Sequence, residues 1–392
     1  MLTATRLTTL LAFACLATVA AVSHAQEEST QESGQAASQD GAQEQEGGSD
    51  EVQDLDLISG RPVIGNRVDR QVDEIYERGL QFLAAAQKRD GSWTTSSGFG
   101  SETAGVCGIC VLAFLSSGED PNFGPYAVQV RRGLRHIILQ QSTRSGLFEG
   151  NVYDYGFAML CLAEAYGAVD DELLWSGVAE DERNRTIGEA LELAVRAAQV
   201  KDSRPDFGGP AWWSTASDPS SGVTDTSVAG SVLVGLLAAR NAGIAVPDKT
   251  IDRCIQYFRS MANRDGTVGY YLTAGDPYGN SMARTSIMNL VLAIAKRRDL
   301  DEFAASTQYL KDHIEDEYDT HPLYGRYYMA QALFQCDIDS WARWNREMIA
   351  KVENEQNDDG SIGVSPYGKN YSTAISLLSL ALNYRFLPIY ER

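Results

Sequence analysis

Histidine is scarce in these 392 residues: His24, His136, His313 and His321 are all there is, and no two stand at the spacing of metal ligands on one helix. A histidine-based metal site is therefore not expected, and no cofactor is implied. Bases are also short, 33 against 53 acids, for a net charge of −20, which argues against nucleic acid as a partner. Beyond residue 25 no apolar run is long enough to read as a transmembrane span. Strict apolar and polar alternation is missing over any useful length, so a parallel-sheet fold is disfavoured. Six cysteines include Cys15 near the start, which leaves Cys107, Cys110, Cys161, Cys254 and Cys336, an odd set and a poor disulfide framework. Cys107 and Cys110 form a CxxC inside an all-apolar segment and not in a loop, so they read as small buried hydrophobes and not as a redox or zinc pair.

What the chain does contain is a repeat of about 55 residues, counted as six copies. In the first, Val72, Ile75, Tyr76, Gly79, Phe82, Leu83 and Ala86 fall at helical i, i+3, i+4 spacing and make one apolar stripe. Asp90 and Gly91 supply a turn, Trp93 folds back as a plug, and residues 104–115, AGVCGICVLAFL, are apolar all round. A helix with no polar face must be covered on every side. Later copies keep the order of amphipathic helix, turn and all-apolar helix, the apolar partners being 155–167, 225–239, 282–296, 324–334 and 372–382. An open array of such hairpins needs polar caps at both ends, whereas a closed ring shelters every apolar helix inside. The fold class expected is all-α, an (α/α)6 toroid of twelve helices over residues 58–392.

Residues 1–25 carry Arg6, an apolar run over 10–22 and a small-residue end, the pattern of a secretory signal peptide. Residues 26–57 follow with ten acids, no base and much Gln, Ser and Gly, which reads as a disordered acidic linker. With Arg6 and those ten acids set aside, 32 bases face 43 acids in the ring. An exported protein, periplasmic or extracellular, is expected.

Arg78, Gly79, Phe82, Leu83, Gln87, Gly91 and Trp93 fill the slots of the repeat known as the QW motif in squalene and hopene cyclases. From about Ile58 onward the chain resembles the terpenoid cyclase and protein prenyltransferase superfamily, and that resemblance implies a double ring of helices. It also implies chemistry to be looked for residue by residue. The DxDD acid of the squalene-hopene cyclases meets GVTD here, where Gly222 and Thr224 replace two aspartates and Asp225 is left. The zinc set of the protein prenyltransferases meets Asp225, Thr226 and Ser227, with Ser227 where cysteine belongs and Ser372 where histidine belongs. The GCGEQ thioester string of complement-like proteins meets GVCGICV, which lacks the glutamine.

In a closed ring the N-termini of the inner helices converge on one mouth. That places Glu102, Thr103, Tyr153, Asp154, Thr224, Asp225, Arg284, Thr285, Tyr324, Arg326, Tyr327, Lys369, Asn370 and Tyr371 at its rim. Asp225 and Asp154 are the candidate catalytic acids. Arg284, Arg326, Tyr327, Lys369, Tyr371, Trp212 and Trp213 are the candidate ligand contacts, the cations favouring an anionic group beside helix N-termini. Helix capping by Thr103, Thr224, Asp225 and Ser372, and internal ion pairs of Arg284 or Arg326 with Asp154 or Asp225, are the competing structural roles. Three functions stay open: a binding module with an apolar, peptide or anionic ligand, an isoprenoid cyclase or transferase with a non-standard acid, and a carbohydrate-active enzyme using paired carboxylates and aromatic platforms. The broken catalytic sets favour the first.

Overall fold

A computed structural model describes residues 68–96, 103–148, 152–202, 225–270, 281–316 and 321–390. The chain divides after Gln53 into two units, and every described residue belongs to the second. The signal and linker expectations, and Glu102, Trp212, Trp213 and Thr224, lie outside the described residues; of Tyr153 only the backbone is described.

The described residues form thirteen α-helices and only isolated β-bridges. Helices α1 (Arg70–Ala86), α3 (Ala127–Leu139), α6 (Ile187–Asp202), α8 (Asp248–Met261), α10 (Asp301–Asp312) and α12 (Ile338–Glu355) are the outer members. Helices α2 (Ala104–Leu115), α4 (Val152–Ala165), α7 (Thr226–Asn241), α9 (Met282–Ile294), α11 (Pro322–Cys336) and α13 (Lys369–Leu380) are the inner ones. A single turn of helix, α5 (Asp171–Leu174), sits against α3 and is the one α-helix among the described residues that the repeat did not announce. Each inner helix packs on the next, α13 packs on α2, and α1 packs on α12. The ring is closed.

Burial follows the sequence pattern. Every residue of α2 is buried, as is every residue of α7 from Thr226 to Ala239, whereas α1 buries one stripe, Val72, Ile75, Tyr76, Gly79, Leu80 and Leu83.

A recurring staple joins three of the outer helices to the next. The Gln87 side-chain amide donates to the carbonyls of Gly91 (3.1 Å) in its own turn and Gln129 (2.9 Å) in α3. Gln141 does the same to Gly146 (3.1 Å) and Ala190 (3.0 Å) in α6. Gln356, in the last copy, donates to Gly360 (3.2 Å) and to Ile75 of α1 (3.0 Å), so the same device seals the seam between the two ends of the repeat array. Gly91 and Gly360 are required there twice over: both have positive φ (89° and 85°), and a Cβ would lie 2.1 Å from the Arg132 carbonyl oxygen or 2.3 Å from that of Arg78. Trp93 fills the space beneath the first turn, its indole N–H donating to the Leu83 carbonyl at 2.8 Å.

After α13 the chain crosses the C-terminal ends of the inner helices. Tyr384 bonds Asp73 (2.8 Å), Arg385 stacks over Phe334 of α11 (5.1 Å), Phe386 lies against Gly118 just after α2, and the Ile389 amide donates to Glu164 of α4 (3.4 Å). Leu387 and Ile389 are buried, and residues 388–390 pack on α7. This segment lies across the C-terminal end of the bore.

Candidate functional site at the mouth of the ring

Asp225 stands where α7 begins, and its position is set by helix geometry. The first amides of a helix have no intrahelical acceptor, and Asp225 Oδ1 accepts from the amides of Ser227 (2.8 Å) and Val228 (3.4 Å). Its Oδ2 accepts from the Tyr270 hydroxyl at 2.6 Å. The Arg284 guanidinium lies over the Tyr270 ring, 5.0 Å from its centre, and donates from Nε to the Val268 carbonyl at 3.2 Å. Thr226 completes the arrangement by donating to the carbonyls of Gly269 (2.9 Å) and Tyr270 (3.0 Å), with its hydroxyl 3.1 Å from that of Tyr257. The segment after the fourth turn is thereby bound down across the start of α7. Asp225 is fully buried and Arg284 is 6 % exposed. Burial pushes the Tyr257 phenol well up, Thr226 and Arg284 acting against that and Asp225 with it.

Asp154 is buried in the first turn of α4, where the Thr103 hydroxyl donates to its Oδ1. Thr103 in turn caps α2 by accepting from the Val106 amide (3.4 Å). Both candidate acids therefore act as hydrogen-bond acceptors within the protein, Asp225 as the cap of α7 and Asp154 as the partner of the residue that caps α2.

The cations do not gather at the bore. Arg326 turns away to Glu355, at the C-terminal end of α12, with Nη1 to Oε2 at 2.7 Å and Nη2 to Oε1 at 2.9 Å, in place of the expected partners Asp154 and Asp225. Lys369 bonds Asp359 in the sixth turn (2.8 Å), which holds that carboxyl down to about 2. Arg284 reaches Asp225 through Tyr270.

Aromatic side chains occupy the bore instead. Tyr327 of α11 meets Phe157 of α4 from across the ring (5.8 Å between centres), and Tyr324 donates to the Ser227 carbonyl of α7 (3.4 Å). Tyr328 packs edge-on against both Tyr324 and Tyr327 (4.8 Å each). Above them Tyr371 meets Tyr367 (5.2 Å), whose hydroxyl lies 3.3 Å from His321 Nδ1. Sequence reasoning had placed Tyr324, Tyr327 and Tyr371 here but missed Phe157, Tyr328, Tyr367 and Tyr270. The signal for Tyr270 was its place two residues after the DGTV turn, and for Phe157 its place one helical turn below Asp154.

Four of the five cysteines are buried and all are free thiols; burial pushes the Cys110 and Cys161 thiols well up and that of Cys336 to about 11. Among the described residues no group of three His, Cys, Asp or Glu is arranged to hold a metal ion, and no helix is long and apolar enough to cross a membrane.

No family model matches this chain, and no curated protein matches it. Solved structures do. It is similar to the α-1,6-mannanase GH76A of Salegentibacter sp. HEL1_6, at 10 % identity and TM-score 0.57 over 80 % of this chain and 99 % of that one. Type II terpene cyclase MstE from Scytonema aligns at 16 % identity and TM-score 0.53 over 82 % of this chain and all of that one. At such identities the likeness is one of fold, and the fold shared by all three is the (α/α)6 toroid.

Proposed function

We propose that this chain is an exported binding module whose toroid holds a ligand at the mouth of the ring without turning it over. One observation carries the reading: Asp225 and Asp154, the two candidate acids, are both buried and both accept hydrogen bonds from the protein itself, Asp225 as the cap of α7. A general acid must present a proton to a substrate within hydrogen-bond reach, and these carboxylates face amides and hydroxyls of the protein itself. The filled bore supports the same reading, since the Phe157 and Tyr327 rings meet where a long apolar substrate would have to thread. Export rests on the composition of residues 1–57.

Toroids of this type accommodate different cargo: the mannanase neighbour holds α-1,6-mannotriose, and the cyclase neighbour holds geranylgeranyl dihydroxybenzoate. A second reading, a carbohydrate-active enzyme, is favoured by the 2.6 Å contact between Tyr270 and Asp225 beneath a guanidinium, an arrangement able to move a proton. Incubation with α-1,6-mannan oligosaccharides and with geranylgeranyl dihydroxybenzoate, followed by mass spectrometry, separates the readings. The binding module returns both unchanged. Turnover that disappears in Asp225→Asn establishes an enzyme and overturns the proposal.

A further inference from the structure

Between α2 and α3 the chain is bridged to the turn before α5, the helix that lies outside the repeat. Phe123, in that loop, is 80 % exposed and makes no ring contact among the described residues. Its backbone is held on several sides. Asp120 Oδ1 accepts from the amides of Asn122 (2.8 Å) and Phe123 (3.0 Å), and Arg131 Nη1 donates to the Asn122 carbonyl (2.8 Å). The Asn122 side chain spans to the Ala168 carbonyl (2.9 Å) and the Asp170 amide (2.8 Å). Two more exposed rings border the same loops: Phe386 lies against Gly118, and Tyr166 stands two residues before Ala168. Single apolar residues are ordinary on a surface, but an aromatic ring fixed in place loses little further freedom when a partner covers it.

The charge beside Phe123 has one sign. Glu119 and Asp120 share its loop, and Asp170, Asp171 and Glu172 lie across the Asn122 bridge; among the described residues none of these acids is ion-paired. Burial pushes the Asp171 carboxyl up, and Asp170 and Glu189 add to that against the Ile187 amide. Of the neighbouring bases, Arg131 is turned to the Asn122 carbonyl and Arg135 to those of Leu174 and Ser176. Such a surface repels anionic lipid and the acid-rich residues 26–57. At a net charge of −20 it also repels a second copy of the chain.

We infer that Phe123 and the acids beside it dock a basic protein segment in which arginine or lysine alternates with apolar side chains. The cations of such a segment meet the carboxylates, and an apolar side chain or a guanidinium covers the free face of Phe123. This surface belongs to the C-terminal ends of α2 and α4, whereas Thr103 and Asp154 stand at their N-terminal ends, so its occupancy is independent of the mouth. Charge steers the association, which therefore weakens as salt rises.

Fluorescence anisotropy of a labelled peptide of alternating arginine and leucine, titrated with the full chain, tests this beside oligo-arginine and a peptide of alternating glutamate and leucine. The alternating basic peptide is expected to bind, more tightly than oligo-arginine, and to loosen in high salt. Phe123→Ala weakens it about tenfold, in line with the loss of one aromatic anchor, and Phe123→Trp retains it. Asp170→Asn combined with Glu172→Gln weakens it and flattens its salt dependence, and all of these variants keep the parent melting curve because the side chains are exposed. Oligo-arginine binding as tightly, with indifference to Phe123→Ala, would leave only diffuse charge attraction and overturn the docking site. Capture of the acidic peptide, or of no peptide, overturns it as well. So does a dimer in sedimentation velocity that Phe123→Ala dissociates, because a second copy then covers this face.

Discussion

Arg326 and Glu355 form a two-point ion pair, 2.7 and 2.9 Å, that ties the first turn of an inner helix to the last residue of the outer helix following it in the chain. The arginine is almost fully buried and the glutamate partly so. Removing one member strands the other, so Arg326→Ala is expected to cost about 2–4 kcal/mol, and Arg326→Lys, which keeps the charge but not the fork, to recover only part of it. Thermal melts of the two variants beside Glu355→Gln check this. A melting curve for Arg326→Ala that matches the parent would return the side chain to the ligand site.

The staples make a prediction about closure. Gly360→Ala forces a methyl group against the Arg78 carbonyl in a left-handed backbone, and Gln356→Ala removes the hydrogen bond to Ile75 across the seam and the one to Gly360 in its own turn. Each should cost roughly 2–4 kcal/mol, the first through strain and the second through buried carbonyls left without a donor. Gly167→Ala is the control. Gly167 also has positive φ (82°), but no neighbouring atom lies within 4 Å of its Cβ position, so it should lose only the backbone share, about 1 kcal/mol.

Acid should loosen the turns before it loosens the core. Asp265 is held below its ordinary value by the Thr267 hydroxyl and amide, and Asp359 is held at about 2 by Lys369 and then Ser361. At Asp90 burial pushes upward, but the Ser92 amide and hydroxyl outweigh it and the net shift is down. With folded values below unfolded ones, the native state binds fewer protons, so this stabilisation is complete above the ordinary 3.8 and is lost as pH falls through the folded values, about 2 for Asp359. Replacing the three aspartates by alanine should lower the melting temperature near neutral pH and flatten its decline in acid. An unchanged acid limb would show that other carboxylates govern it.

Filling of the bore is tested by Phe157→Ala. The ring is buried and meets Tyr327, so its loss should cost about 3–5 kcal/mol and leave a cavity that takes up xenon or benzene. Full stability without probe uptake would mean that the bore had been open.

The fold was legible because it rests on local periodicity. All-apolar strings such as AGVCGICVLAFL can only be interior helices, and the α2 limits, Ala104–Leu115, match that string end to end. Gln87 and Gly91 were visible as motif positions, but their partners, Gln129 and Arg132, belong to the next repeat, and no local pattern joins residues some forty apart. The site was half legible for a related reason. Position at a helix start correctly placed Asp225 as a cap, yet which acid Arg326 reaches depends on where α12 ends relative to α11, a tertiary fact. The C-terminal segment left no signal at all: Arg385, Phe386 and Ile389 make sense only once the helix ends they touch have converged.

Everything said of the mouth depends on the ring having no free ends, and hydrogen exchange followed by mass spectrometry reads that directly. In a closed ring α1 and α13 belong to the seam and exchange as slowly as α4, α7 and α9, and Gln356→Ala speeds α1 and α12 together. Early exchange of α1 and α13 beside a protected middle would be the fraying of an open array, and would contradict the account.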